Sequence, residues 1–288
     1  MEKKKITVFG ATGKIGGELL HLLSGAKIQA VAVTRNIESA VESPFIEWIQ
    51  ADLADKKSLY ATMENSSSAF LLSGHSSGFV PEQKNAIDVA RELHIKHIVK
   101  LSSGAVDKNS TFHIPRTHGE VEEYLISSGT HYTMLRPNGI MQNWLGDIAE
   151  SIRKERKFYE ATGTGKRAHI DRRDIAEVAF KCLTEPEKNY NKIYLLTSDR
   201  AVNYFDIAEV ISRAINEKVE YVPISLEEAR REMEQKGMPS ALIETFISYD
   251  AAQRNGETEI VSDSVRTVLG KPARTLEHFA KDYVDCFK

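Results

Sequence analysis

Cysteine is scarce in this chain of 288 residues: only Cys182 and Cys286 occur, far apart and without partners at metal-ligand spacing. Neither a disulfide framework nor a zinc site is expected, and both side chains are expected as reduced thiols. No sign of charge dominates either. Lys and Arg total 38 against 41 Asp and Glu, a formal charge of -3, which excludes a broad basic field for a nucleic-acid backbone or an anionic membrane surface. Nor does any apolar run reach the roughly 20 residues of a membrane helix. Residues 1–5 lead straight into the strand-like Ile6 to Phe9 rather than into the apolar segment of a signal peptide, so the cytoplasm is the expected compartment. What the chain does have is 41% hydrophobic residues, enough for a large core arranged as one big domain or one domain plus a smaller lobe.

The first half alternates short β-branched runs with amphipathic stretches of about three turns. Strands are expected over 6–9, 29–34, 46–50, 69–72, 97–101 and 132–136, and helices over 16–23, 57–64, 81–93 and 119–127. Ile87, Ala90 and Leu93 show the helical spacing of a face laid on a sheet. Right-handed crossovers then predict an α/β fold, a doubly wound parallel sheet of the NAD(P)-binding Rossmann type. The second half loses the rhythm. A helix over 141–153 is expected after the turn-rich Arg136-Pro137-Asn138-Gly139, followed by a loop at Gly163-Thr164-Gly165-Lys166. A helix over 173–184 and a strand over 192–197 are expected to rejoin the sheet. Helical patterns at 204–216, 226–236 and 240–252, without alternating strands, predict a smaller, mostly helical lobe. The expected division is a nucleotide-binding domain over 1–155 with return segments at about 169–200, and a substrate-binding lobe over 201–288.

The most specific signal is Val8-Phe9-Gly10-Ala11-Thr12-Gly13-Lys14-Ile15-Gly16-Gly17, a strand, a glycine turn and a helix onset. A tight turn at Gly10, unhindered backbone at Gly13 and close strand–helix packing at Gly16 would aim free N–H groups at a pyrophosphate, where the helix dipole favours negative charge. The spacing G-x-x-G-x-x-G differs from the dehydrogenase G-x-G-x-x-G. After the second strand comes Thr34-Arg35-Asn36, with no acid until Glu38, where an NAD site wants a carboxylate for the ribose diol. NADP(H) is therefore the expected cofactor: Arg35 can fork onto a 2′-phosphate, and Lys14 can add a second cation. Asp52, followed by Leu53 after the third strand, reads equally as an acceptor for the adenine amino group and as a plain helix cap.

These residues, together with Tyr132-Thr133-Met134-Leu135-Arg136-Pro137-Asn138, resemble the atypical short-chain dehydrogenase/reductase family in its NmrA-like branch, near NADPH:quinone oxidoreductase type 2 and triphenylmethane dye reductase. The likeness extends through the helix carrying Thr117-His118-Gly119-Glu120, the segment 138–143, and the return segment around Arg172-Arg173-Asp174. It implies that residues Gly10, Thr12, Gly13, Lys14, Ile15 and Gly16 hold the pyrophosphate and Arg35 the 2′-phosphate. Leu72, Ser73, Gly74, Ser76 and Ser102 would line the ribose and nicotinamide path. It further implies that Pro137, Asn138 and Asn143 close over the nicotinamide and that Arg172 lies near the cofactor or its lid. The serines and His75 read equally as ordinary loop polars at strand ends.

A second absence bears on the chemistry. None of the 10 tyrosines is followed by a lysine four residues on, the pair that moves the proton when an unactivated alcohol or ketone is oxidised or reduced. By the family alignment Ile114 stands at the tyrosine position and His118 at that of the lysine. His118 is the expected catalytic candidate, as a ribose partner or a proton donor; the alternative is a histidine facing solvent at a helix start. His113 is a weaker candidate for the same pocket, whereas His94 and His97 read as structural. Asp174 reads as a cap or dipole partner ahead of a helix rather than as half of a catalytic pair with Asp171. In the lobe, Met233, Met238, Leu242 and Phe246 read either as core or as an apolar wall for a flat ring. The expected function is NADPH-dependent hydride transfer to a small, electrophilic acceptor such as a quinone, with no nucleic acid or membrane as partner. The alternative is an NADP(H)-binding redox sensor of NmrA type, which would act through a protein partner.

Overall fold

A computed structural model describes residues 5–288; residues 1–4, which the expected first domain includes, lie outside the described residues. The chain divides into two compact units. The first runs through Ser110 and adds Pro115–Arg136 and Arg172–Leu195; the second comprises Thr111–Ile114, Pro137–Asp171 and Leu196–Lys288.

The first unit is built in the order β1 (Lys5–Val8), α1 (Lys14–Gly25), β2 (Ala30–Thr34), β3 (Ile46–Gln50), α2 (Lys56–Met63), β4 (Ser66–Leu71), α3 (Phe79–Glu92), β5 (His97–Leu101), α4 (His113–Ser127) and β6 (His131–Pro137). After an excursion through the second unit it receives α6 (Arg172–Thr184), the short α7 (Pro186–Asn189) and β8 (Lys192–Leu196). The sheet has the order β3-β2-β1-β4-β5-β6-β8, and every ladder from β3 to β6 is parallel. This is the doubly wound Rossmann-type α/β fold, and β2 and β5 are buried along their whole length because helices cover both faces. On one face α1 packs against α6. On the other, Leu59 and Met63 of α2, Ile87 and Ala90 of α3, and Val121 and Leu125 of α4 close over Val31, Val33 and Ile98.

Strand order reverses between β1 and β4, so the loops that follow these two strands flank the switch point where open α/β sheets bind ligands. Their mutual approach requires glycine at Gly10. Its φ is +68°, and a Cβ there would lie 2.8 Å from Cγ of Leu72 in the opposite loop. Gly16, on the first turn of α1, faces the same turn: a Cβ would fall inside the van der Waals shell of the Gly10 carbonyl oxygen.

The second unit contains α5 (Asp147–Glu155), β7 (Lys157–Glu160), α8 (Tyr204–Ile215), β9 (Glu220–Pro223), α9 (Leu226–Gln235), α10 (Ser240–Arg254), α11 (Ser264–Leu269) and α12 (Leu276–Asp282). It differs from the sequence reading in two places. The helix expected over 141–153 is broken: a 3-10 turn at Met141–Leu145 ends at Gly146, whose ψ of −119° is not helical, before α5 begins. The region after 203 is not purely helical either, because β9 pairs in parallel with β7 through Lys157↔Glu220 to Glu160↔Pro223. Four residues are too few for alternation to reveal a strand, and the partners lie some sixty positions apart. The core of this unit gathers Trp144, Ile152, Phe158, Tyr204, Ile211, Tyr221 and Phe279.

Gly16→Ala is expected to cost about 1–3 kcal/mol or more, because the added methyl meets backbone that cannot move aside. Gly17→Ala is the control. Its Cβ would meet only Ala11 O at 3.9 Å, and helix propensity should add about 0.5–1 kcal/mol of stability. Urea denaturation of both variants checks the pair; equal effects of one sign would refute the account.

Candidate functional site

The turn after β1 leaves donors free. Gly13 caps α1 without a side-chain hydrogen bond, and no acidic residue occupies the helix's first turn, so side chains do not neutralise its positive end. Thr12, Gly13 and Lys14 are exposed there, while Ile15 and Gly16 are buried against the sheet. Gly13 N–H closes the turn on Gly10 O at 3.0 Å. The close approach of turn and helix, which a Cβ at Gly10 or Gly16 would block, leaves backbone N–H groups at the helix start in a shape suited to a diphosphate.

At the end of β2, Thr34 Oγ1 accepts from Asn36 N–H at 3.1 Å, and Gln50 Nε2 donates to Arg35 O at 2.9 Å. The Arg35 backbone is thus fixed from both sides, and its side chain is exposed. Among the described residues, no ion pair involves Arg35. Asp52 is exposed as well: Oδ1 accepts from Ala54 N–H at 2.9 Å in a local turn. The helix cap considered for it belongs to Asp55, which accepts from Lys57 N–H at the start of α2. Leu53 is half-buried, and its carbonyl accepts from Asn85 Nδ2.

After β4, half-buried Leu72 walls the Gly10 turn. Ser73 Oγ accepts from Gln83 Nε2 at 3.0 Å, and Ser76 Oγ donates to Glu82 Oε1 at 3.0 Å while accepting from Gly78 N–H. Both hydroxyls thus help hold the start of α3. Gly74 lies in open space. Arg172, first residue of α6, has Nε 3.6 Å from Glu18 Oε1 of α1, which ties the return helix to the phosphate-loop helix.

The end of β5 carries a cluster that sequence reasoning missed. Lys100 is fully buried in a strand whose five residues are all buried, and its ammonium lies 2.9 Å from His118 Nδ1 and 3.2 Å from Leu101 O. One turn further along α4, Glu122 is buried; it accepts from Ser102 Oγ at 2.5 Å and from Arg136 through a two-pronged ion pair. Ser102 is therefore committed to Glu122, with His118 Nδ1 3.5 Å away. The clue lay in the run His97-Ile98-Val99-Lys100-Leu101, where one cation interrupts an otherwise core-like strand.

Burial pushes the Lys100 ammonium down to about 7; the Glu122 carboxylate opposes the shift and the Arg136 guanidinium adds to it. Burial, and next the Lys100 charge, hold His118 neutral. His118 is therefore neither a helix-start histidine in solvent nor an imidazolium proton donor near neutral pH. It sits inside α4, buried, with its ring edge-on to His75 at 5.1 Å and to Phe79 at 4.8 Å. Because an ammonium only donates, His118 Nδ1 must accept, which leaves its proton on Nε2. Lys100 is the group of this cluster that titrates near neutrality. His113 is the first residue of α4, and the buried Nε2 of His97 meets Thr133 Oγ1 at 2.8 Å, a structural role.

Pro137, Asn138 and Asn143 fall in the second unit. Asn138 N–H donates to Leu196 O at 3.1 Å, and its Nδ2 donates to Thr258 O at 3.2 Å. Gly139, at φ +99°, has the side chains of Arg167 and His169 where a Cβ would stand, and its carbonyl accepts from Ile170 N–H. Asn143 is exposed on the 3-10 turn. Asp174 is buried in the first turn of α6.

The pattern of the NmrA-like family matches residues 2–280. The chain belongs to the NmrA-like family. Among its relatives, the NAD(P)H azoreductase of Xenophilus azovorans is 32% identical over 284 residues, covering 98% of this chain and 99% of that protein. The NADPH-dependent quinone oxidoreductase of Escherichia coli, solved with NADPH, superposes with a TM-score of 0.85 at 26% identity over 96% of this chain and 99% of its own. The transcriptional regulator NmrA, solved with NADP, shares the fold at a TM-score of 0.80 and 15% identity, covering 99% of this chain and 96% of its own. Among the described residues no helix is long and apolar enough to cross a membrane, and no trio of His, Cys, Asp or Glu is placed to hold a metal ion.

Two outcomes are expected of the Lys100 cluster. Between pH 7 and the unfolded lysine pKa of about 10.4, the unfolded chain binds the extra proton, so stability rises with pH by up to about 1.4 kcal/mol per unit. Lys100→Met should abolish that rise in denaturation curves recorded across this range, leaving the rest of the profile intact. In nitrogen-15 spectra of the wild type below pH 7, His118 should show an unprotonated Nδ1 and a protonated Nε2, and Lys100→Met should allow the two tautomers to mix. A wild-type His118 protonated on Nδ1 would contradict the geometry.

Proposed function

We propose that this NmrA-like protein is an NADPH-dependent reductase that transfers hydride to a quinone-like or other electrophilic aromatic acceptor. The observation that carries the reading is the uncapped, carboxylate-free start of α1 beside the Gly10 turn, with the exposed Arg35 ending the neighbouring strand. Gly10, Thr12, Gly13, Lys14, Ile15 and Gly16 would hold the diphosphate. Arg35 would fork onto the 2′-phosphate with Lys14 beside it, and the Asp52 oxygen left over from its turn would accept from adenine. When bound, NADPH supplies the hydride; with a proton, this takes a quinone to a hydroquinone. Leu72, Ser73, Gly74 and Ser76 would border the ribose. Ser102, its proton given to Glu122, would accept a hydrogen bond, and His118 would donate one through Nε2. Arg172, through Glu18, would steady α1.

The missing Tyr/Lys pair narrows the acceptor. A carbonyl needs a proton as the hydride arrives, whereas an electron-poor quinone or azo-type acceptor tolerates the negative charge and asks mainly for orientation. The relatives named azoreductase and quinone oxidoreductase support this class. The fold shared with NmrA supports the sensor alternative only as a scaffold.

NADPH should bind more tightly than NADH, and Arg35→Ala should remove about 1–3 kcal/mol of that preference, or about 5- to 150-fold, as measured by calorimetry with both dinucleotides. Equal affinities in the wild type would refute the 2′-phosphate assignment. Purified protein mixed with NADPH and a panel of quinones and azo dyes should oxidise the cofactor. Tight NADPH binding without turnover across the panel would favour the redox sensor.

A further inference from the structure

Within the second unit, β7, α5, α9 and α10 enclose a cavity of about 280 Å³. One wall is apolar: Phe158, Ile224, Met233 and Met238, with Ala161 and Ala229 behind. Of the lobe residues considered from sequence as a wall for a flat ring, Met233 and Met238 line it. The lining also carries two half-buried acids, Glu160 from β7 and Asp250 from α10.

Among the described residues no ion pair or side-chain hydrogen bond closes on Glu160 or Asp250. The nearby cations act on these acids without closing an ion pair: an Nη2 of Arg167 donates to Tyr249 O at 3.2 Å, an Nη2 of Arg254 donates to Ile224 O at 3.0 Å, and Lys236 Nζ is 2.6 Å from Asp147 Oδ2. Glu232, also in the lining, adds a further negative charge. Burial raises the Glu160 carboxyl to about 8, with Asp250 adding to the shift and Arg167 opposing it; burial raises Asp250 to about 6 against Arg167 and Arg254. The Tyr204 hydroxyl feels both acids and is itself held neutral by burial.

Two acids that close no ion pair beside a methionine and phenylalanine wall are held back from ionising by burial, and a ligand that brings positive charge and apolar surface together favours their ionised form. A metal ion would need a third donor, and no such trio exists among the described residues. We propose that this cavity binds an organic monocation with a flat apolar body, its charge set between Glu160 and Asp250 and its ring against Met233, Met238 and Phe158. The site lies wholly within the second unit and does not rest on the dinucleotide reading.

N-methylquinolinium and neutral quinoline, titrated into the full chain without dinucleotide at about pH 9, form the test. The cation should bind at least about tenfold more tightly than quinoline, as a desolvated charge pair requires. Lowering the pH from about 9 to about 5 protonates the raised acids, so its affinity should fall, and binding should release protons when followed by calorimetry in buffers of different ionisation enthalpy. Glu160→Gln and Asp250→Asn should each weaken the cation and leave quinoline unchanged. Both substitutions remove a charge that burial disfavours, so the variants should melt no lower than wild type at pH 9. Equal affinity for the two probes, no binding of either, or cation binding indifferent to pH and to both substitutions would overturn the proposal. None of those results touches NADPH binding.

Discussion

The first turn of α1 rests directly on the turn that ends β1, with no side chain between them, and the rest of the first unit is arranged around that contact. Gly16 presses on the Gly10 carbonyl, and Gly10 in turn lies under Leu72 from the neighbouring strand's loop. Because the helix starts so close to the strand end, its free N–H groups and dipole open at the carboxyl edge of the sheet. Because β1 and β4 are neighbours at the reversal of strand order, the loop from Leu72 to Gly78 borders that same edge. A methyl group at Gly16 would push the helix off the turn and remove the cradle together with the packing.

A few steps along the sheet, the end of β5 holds charge where the fold holds mostly hydrocarbon. Glu122 is stabilised by bonds from Ser102 and a two-pronged Arg136, so its burial is compensated. Lys100 is compensated less well, with one carbonyl, one imidazole nitrogen and the face of Phe79 at 5.8 Å. Poor compensation lowers its pKa; donation from its ammonium fixes which nitrogen of His118 carries the proton. In a chain without a Tyr/Lys pair, the buried polar contact at this sheet edge joins a lysine in a strand to a histidine in the following helix, rather than two residues one turn apart.

The second unit solves a different problem. Its two four-residue strands pair in parallel, and aromatic side chains including Trp144, Tyr204 and Tyr221 pack with aliphatic ones in its core. Around β7, where apolar and acidic side chains meet, the packing leaves a cavity instead of closing it. Two acids that close no ion pair, their ionisation opposed by burial, make the cavity distinct from an ordinary packing gap.

Residues 5–136 declared the fold in one dimension. Strand–helix periodicity, the glycine spacing after Val8 and the basic residue after Thr34 are local signals, and local signals suffice for a parallel sheet whose elements follow one another along the chain. The break at Gly146 and the β7–β9 pair escaped, because one glycine interrupts a helical pattern without erasing it, and four-residue strands carry almost no alternation. The partners of Lys100, the commitment of Ser102 to Glu122, the neutral state of His118 and the raised acids Glu160 and Asp250 in one cavity depended on tertiary structure alone. Burial and distance set the charge and donor role of each of these groups, and those quantities arise only when residues remote in sequence are brought together.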